Sequence, residues 1–339
     1  MVETISVICP TYNERQCISQ CIESIISSSY EKDKMEVVFI DGMSNDGTRD
    51  IITRYMRQYP YIRILDNPHK CAPSALNIGI RATTGDIIIR LDAHAIYPPD
   101  YFRILVAYLI KLRADNVGVA IKSLPLNSSL TANAIAIAVS SRFGVGNSYC
   151  RIGTDKLMEV DTVPFGCFHR ELFDRIGMFD EELTRNQDDE FNARIIKNSG
   201  KIFLIPDITL EYYSRDKVSK LARMFYQYGL FKPLVNKKIG KPTSIRQFFP
   251  TAFVLVLLTG IIASYFSKTI LIIFISIIAL YALLAMLFSL KSSFRGKRWK
   301  LQFVMPVIFF TIHVSYGWGY LVGIFNILTR KPFKAKTNR

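Results

Sequence analysis

The chain has 339 residues, enough for one large domain and a further segment. Half of its residues are hydrophobic and its mean hydropathy is +0.19, more apolar than an ordinary soluble enzyme. The net charge of +15 gathers beside the apolar runs, which fits anionic lipid headgroups and argues against nucleic acid as the partner.

In chain order, Ile5 to Cys9 is a short apolar run stopped by Pro10. Ile18, Cys21, Ile22, Ile25 and Ile26 then recur at helical spacing. Glu36 to Ile40 reads as a second buried strand. The turn-rich stretch DGMSNDGT, 41–48, leads into a helix with Ile51, Ile52, Tyr55 and Met56 on one face. Asp46 in that stretch reads as a loop or cap residue. Ile62 to Leu65 is a third strand, Ala72 to Ala82 a helix, and Asp86 to Leu91 a fourth strand. Pro98-Pro99 opens a helix running to about Arg113. Strands alternating with helices predict an α/β fold. It is a doubly wound, mostly parallel sheet with helices on both faces.

In such sheets ligands bind beyond the carboxyl ends of the strands. Three polar clusters lie there: Pro10-Thr11-Tyr12-Asn13-Glu14, Asp41-Gly42 and Asp92-Ala93-His94. No dinucleotide or P-loop glycine pattern occurs at a strand end, which excludes those nucleotide sites. The six cysteines form no C-x-x-C pair and read mainly as reduced packing residues. Cys17 and Cys21, one helical turn apart, fit either a core or a metal.

From Phe248 onward the chain changes character. Residues 249–266 and 269–290 carry no charge, and 301–328 carries none beyond His313. The first two runs have the length of a bilayer span, and the third is longer than one span needs. The N-terminus lacks the basic and apolar regions of a signal peptide. The expected organisation is therefore a cytoplasmic domain, 1–240, and a membrane anchor, 241–339. Residues 217–238 read as an amphipathic helix with a basic face, suited to a membrane surface. A single third span would place the basic tail from Arg330 outside, against the positive-inside rule. Residues 301–328, with Gly317-Trp318-Gly319, are thus expected as a re-entrant or interfacial element.

Four motifs in order, SVICPTYNE, VVFIDGMSNDGT, GDIIIRLDAHA and QDDEFNARI, resemble the inverting family 2 glycosyltransferases of the GT-A fold. The resemblance covers roughly residues 3–240. Asp92-Ala93-His94, the Gly144–Asn147 turn and the C-terminal apolar helices look most like succinoglycan-type exopolysaccharide glucosyltransferases.

The resemblance implies a nucleotide-sugar site. Pro10, Thr11, Tyr12 and Glu14 would line the uridine pocket, with Glu14 on a ribose hydroxyl. Asp41 would accept the uracil N3–H. Lys70 would reach the phosphates. Most of the family holds a divalent ion with Asp-x-Asp; here His94 replaces the second acid. Asp92 and His94 together would suit Mn²⁺ somewhat better than Mg²⁺. The other reading leaves the metal, or a sugar hydroxyl, to Asp92 alone. The family pattern Glu-Asp-x-Asp-Leu-x-x-Arg, registered on Phe191 and Arg194, puts the general base at Asp188, with Asp189 as the alternative. Gln187 replaces the usual Glu, which removes a charge beside the base. The Gly166–Arg170 loop would lie near the acceptor, with Arg170 structural. No Gln-x-x-Arg-Trp follows, which points to addition of one sugar at a time.

The expected partners are a UDP-sugar, a polyprenyl-diphosphate-linked saccharide, membrane lipids and other proteins of polysaccharide assembly. The expected place is the cytoplasmic face of a bacterial inner membrane. Two alternatives stand beside this function: transfer onto polyprenyl phosphate, and a non-catalytic nucleotide-sugar-binding scaffold.

Overall fold

The computed structural model describes residues 2–296 and 299–333. Parts of the expected basic loop (297–298) and basic tail (334–339) lie outside the described residues. Among the described residues the strands are β1 (Ile5–Thr11), β2 (Met35–Asp41), β3 (Ile62–Asp66), β4 (Ile87–Arg90), β5 (Ala95–Ile96), β6 (Asn116–Leu124), β7 (Met158–Glu159), β8 (Cys167–His169) and β9 (Ile202–Tyr213). They form one sheet of order β3-β2-β1-β4-β8-β6-β9-β5, with β7 on β9. β3, β2, β1 and β4 are parallel, and β8 runs antiparallel between β4 and β6.

The parallel strands are apolar on both faces because helices cover both. Ile5, Val7 and Cys9 share a core with Ile18, Cys21, Ile22 and Ile25 of helix Ile18–Ile26. Ile8 points the other way, against helix Ala72–Arg81. There a Cβ on Gly79 would lie 2.5 Å from Ile8 Cγ2 and 2.9 Å from Ile40 Cδ1, so a glycine admits the close approach. Helix Tyr101–Leu112 buries Tyr101, Phe102, Leu105, Val106 and Leu109 in the same core as β1. Cys167–His169 was expected as loop and is a strand. Three residues are too few to show alternation, and the pairing of Phe168 with Ile88 defines the strand.

The described residues divide into two compact units, one of 2–122 and 153–212, the other of 123–152, 213–296 and 299–333. The first holds most of the sheet. Residues 123–152 and 213–240, expected with the catalytic domain, count with the apolar helices in the second.

In the second unit, among the described residues, three helices are long and apolar enough to cross a membrane: Ile245–Ser264, Lys268–Ser292 and Leu301–Leu328. Only 6% of the second's apolar window is buried, against 39% of the third's, so the third is the packing centre of this unit. It meets helix Val218–Ile239 through small residues. A Cβ on Gly319 would lie 2.1 Å from the Tyr226 carbonyl oxygen, and one on Gly323 2.3 Å from that of Leu230. Glycines four apart on one face let two helix backbones touch. Gly317 abuts the Pro250 carbonyl in the same way. These glycines pack and do not break the helix. The third apolar stretch therefore runs unbroken from Leu301 to Leu328, without the interruption a re-entrant element requires.

Candidate active site

The register of the parallel strands aligns Thr11, Asp41 and Asp66 across neighbouring strand ends. The loops beyond are held in unusual backbone shapes. Asn13, Met43 and Lys70, one after each of β1, β2 and β3, all have left-handed φ, of 53°, 61° and 55°. Such residues persist only where surrounding contacts impose them, and they cluster at functional sites. The first two loops are laced together. The Asn13 N–H donates to Ser44 Oγ (2.8 Å), and the Asn45 N–H to Asn13 Oδ1 (3.1 Å). The Glu14 N–H donates to Thr48 Oγ1 (2.8 Å). Gly42 lies where a Cβ would meet the Tyr12 ring at 3.1 Å and Lys70 Cα at 3.5 Å, so these three positions converge on one corner. Pro10 and Tyr12 are half-buried, Thr11 is buried, and Lys70 is exposed.

Asp41 is fully buried. Its carboxylate accepts from the Ser44 N–H (2.9 Å), the Ser44 hydroxyl (2.5 Å) and Arg49 Nη1 (2.7 Å). Arg49 also pairs with Asp66 (2.8 Å). Asp46, expected as a loop or cap residue, lies in the loop before the helix and accepts from the Thr48 N–H (3.0 Å) and hydroxyl (2.6 Å); the N-cap position itself is Gly47. Its carboxyl lies below the usual range: burial raises it, but these hydrogen bonds and one from the Arg15 N–H outweigh that.

The third strand end carries Asp92 and His94. Tyr97 clamps the Asp92 backbone, accepting from its N–H (2.8 Å) and donating to its carbonyl (3.1 Å). His94 is buried. Its Nδ1 stands 3.0 Å from Asp92 Oδ1 and 3.3 Å from Glu14 Oε1. The ligand atoms of these three residues all lie within 4.8 Å of one another. Ligands about 2.1 Å from an octahedral cation sit about 3.0 Å apart at neighbouring positions, so the spacing fits a divalent ion. Two carboxylates and an imidazole suit Mn²⁺. The carboxylate of Glu14, the residue expected at the ribose, lies in this cluster and is a third candidate ligand. On the far side of the ring, Nε2 meets the Tyr212 hydroxyl at 2.5 Å. The nearby Cys21 thiol is a packing group: its contact with Cys9, then its burial, push its pKa well up and keep it protonated.

The candidate bases open helix Gln187–Lys197, after Asn186 in a left-handed turn (φ 60°). Asp188 Oδ1 forms an ion pair with Arg90 Nη1. Asp189 Oδ1 accepts from the Thr162 hydroxyl (3.3 Å) and faces a chain of amides, Asn192 to Thr162 (2.8 Å) and Asn116 to Asn192 (2.7 Å). Gln187 is buried. Arg170 donates to the carbonyls of Gly85 (2.6 Å) and Ile80 (2.9 Å) and to the Ser6 and Thr83 hydroxyls (both 3.1 Å), the bonds of a structural cross-link.

Arg90, Tyr212 and Phe165 escaped the sequence analysis. The Arg90 guanidinium lies 5.4 Å from the centre of the Phe165 ring, which stacks on Tyr212 at 5.8 Å. A signal for Arg90 was available: a charge inside the apolar run IIIRL, spaced by two from Asp92 and again from His94. Tyr212 lies 118 residues from His94, and no local pattern joins them.

The chain is similar to known proteins in sequence and in fold. A family model described as glycosyl transferase family 2 matches residues 6–177. The chain is 28% identical over 328 residues to the dolichyl N-acetyl-alpha-D-glucosaminyl phosphate 3-beta-D-2,3-diacetamido-2,3-dideoxy-beta-D-glucuronosyltransferase of Methanococcus voltae, covering 94% of this chain and 97% of that one. It is 30% identical over 257 residues to succinoglycan biosynthesis protein ExoA of Rhizobium meliloti (strain 1021), covering 73% and 74%. The fold is shared with mannosyltransferase PcManGT from Pyrobaculum calidifontis in complex with GDP-Man and Mn²⁺, at TM-score 0.59 and 20% identity over 94% of this chain and 88% of that one. With its mixed, mostly parallel sheet of GT-A type and its long apolar C-terminal helices, this chain belongs to glycosyl transferase family 2.

Proposed function

We propose that the protein is a membrane-anchored inverting glycosyltransferase that moves a hexose, glucose first among them, from a UDP-sugar to a lipid-linked saccharide in exopolysaccharide synthesis. The observation that carries this reading is the gathering of Glu14, Asp92 and His94 at one strand end, within 4.8 Å of one another. Two relatives support the acceptor class. The name of the Methanococcus voltae relative gives a dolichyl-linked sugar phosphate as acceptor, and the Rhizobium meliloti relative is a succinoglycan biosynthesis protein. Three apolar helices suit a lipid acceptor, and a polyprenyl diphosphate is the carrier we favour. The basic residues flanking those helices favour the cytoplasmic face of a bacterial inner membrane.

In this reading Pro10, Thr11, Tyr12, Asp41 and Lys70 bind the nucleotide, with the Tyr12 ring as a stacking face and Lys70 toward the phosphates. Uracil N3–H would reach Asp41 after a shift of the Ser44 hydroxyl. Glu14, Asp92 and His94 hold a divalent cation, Mn²⁺ before Mg²⁺. When bound, the cation stabilises negative charge on the departing UDP. Asp188 takes the proton of the acceptor hydroxyl as that oxygen bonds the anomeric carbon. On the opposite face the bond to the UDP oxygen breaks and its electron pair leaves with UDP, so the configuration inverts.

The test is UDP release by the purified full-length protein from UDP-glucose, UDP-galactose and UDP-N-acetylglucosamine, with Mn²⁺ or Mg²⁺. Asp188→Asn should bind UDP as the wild type does and turn over about 100-fold slower. Undiminished turnover in that variant removes Asp188 as base, and a pronounced loss in Asp189→Asn instead would transfer the role. UDP binding without turnover of any donor would favour the scaffold. Sugar transfer onto bare polyprenyl phosphate that survives Asp188→Asn would favour the polyprenyl-phosphate alternative.

A further inference from the structure

Arg90 is a buried cation at the end of a strand whose other residues are all core. Burying a guanidinium is expensive, and an apolar side chain of similar size commonly serves stability as well or better. Stability alone therefore does not account for an arginine here. Its contacts say what it holds. The guanidinium pairs with Asp188 and lies against the Phe165 ring. Phe165 is itself fixed, with φ at 54° in the left-handed region and its ring stacked on Tyr212. Tyr212 in turn holds His94. An unbroken line of contacts thus runs from Asp188 through Arg90, Phe165, Tyr212 and His94 to Asp92 and Glu14. It is anchored where β4 ends, with Arg90 the last residue of the strand and Asp92 and His94 in the segment just beyond it.

We propose that Arg90 is a positioning residue for the transfer reaction: it holds the Asp188 carboxylate in register with the Glu14, Asp92 and His94 cluster. The inference rests on the reading of Asp188 as base. A carboxylate in the first turn of a helix turns about its own side-chain bonds unless something grips it. Arginine's planar fork fixes direction as well as distance, which a lysine does not. Oδ1 is the oxygen that meets Arg90, and the Asp188 side chain keeps 26% of its surface, so the carboxylate still presents an open edge to an acceptor hydroxyl. Arg90 touches neither donor nor acceptor in this scheme and acts through Asp188.

The experiment uses the full-length protein in detergent and whichever UDP-hexose of the panel above the wild type turns over fastest with Mn²⁺. Wild type, Arg90→Lys, Arg90→Met, Asp188→Asn and the double variant Arg90→Met/Asp188→Asn are compared for kcat, donor KM, UDP affinity and melting temperature. Arg90→Met should lower kcat about 10- to 100-fold and leave donor KM within about twofold. Arg90→Lys should recover part of the loss. The double variant should be no slower than Asp188→Asn alone, because a residue that acts through another has nothing left to position. Arg90→Met with wild-type kcat, or with a loss carried mainly by donor KM, overturns the proposal. So does an equal further loss in the Asp188→Asn background. If Arg90→Met does not fold, Arg90→Gln takes its place under the same criteria. If Asp188→Asn itself turns over normally, the base reading fails and takes this proposal with it. An inactive Asp188→Asn beside an unimpaired Arg90→Met sinks the positioning role alone.

Discussion

The hydroxyl of Tyr212 stands 2.5 Å from His94 Nε2, while His94 Nδ1 faces Asp92 and Glu14 at 3.0 and 3.3 Å. The imidazole is held from behind and presents its other nitrogen to two carboxylates. An outer partner of this kind fixes ring orientation and tautomer in metal sites.

Tyr212→Phe should therefore keep the fold and weaken Mn²⁺ binding about 10- to 100-fold. Calorimetric titration of the full-length protein with Mn²⁺, with and without UDP, measures it. Affinity unchanged within about twofold would show that the ring needs no such support.

The three members of the cluster separate by the same titration. Asp92→Ala, Glu14→Ala and His94→Ala should each weaken Mn²⁺-dependent UDP binding while leaving metal-free UDP binding nearly intact. Loss in Asp92→Ala and Glu14→Ala, with His94→Ala unaffected, would leave His94 as a cationic or neutral neighbour and not a ligand.

Glu36 sets a test away from the site. Burial raises its carboxyl pKa, but hydrogen bonds from the Thr84 N–H (2.6 Å), the Ser6 hydroxyl (2.8 Å) and the Gly85 N–H (3.2 Å), together with Arg63 (2.8 Å), bring the net value below the usual 4.5. A folded pKa below the unfolded one contributes stability above about pH 4.5, and that contribution is lost as the pH falls through the folded value. Glu36→Gln should cost about 1–2 kcal/mol at pH 7. The gap in melting temperature between variant and wild type should close as the pH drops below about 4.5. A gap that is constant from pH 7 to pH 3 contradicts the assignment.

Gly319 tests the packing of the apolar helices. Gly319→Leu would drive a side chain into the Tyr226 carbonyl, where a Cβ alone would come within 2.1 Å. The expected loss exceeds about 2 kcal/mol because backbone cannot give way as a side chain can. Trp318→Leu, exposed beside it, is the control. Equal melting temperatures for the two variants in detergent would show that the helices do not depend on this contact.

Much of the fold follows from local pattern. The apolar runs of β1, β2, β3 and β4, with helical spacing between them, define four parallel strands, because fully buried strands and one-sided helices leave distinct periodicities. The three apolar helices follow from length and the absence of charge. Asp41, Asp92 and His94 stand out as acids and a ring at strand ends, while Asp188 was singled out from Asp189 only by resemblance to the family pattern. The second half of the sheet was not legible. β8 is three residues long, and β9 alternates poorly because its neighbours differ along its length. The tertiary structure alone decided which groups meet. Glu14 turned to the strand end of Asp92, Arg90 closed on Asp188 across 98 residues of sequence, and Tyr212 came to His94 across 118. Periodicity reports which face of an element is buried; partners distant in sequence are chosen by packing, which no local pattern encodes.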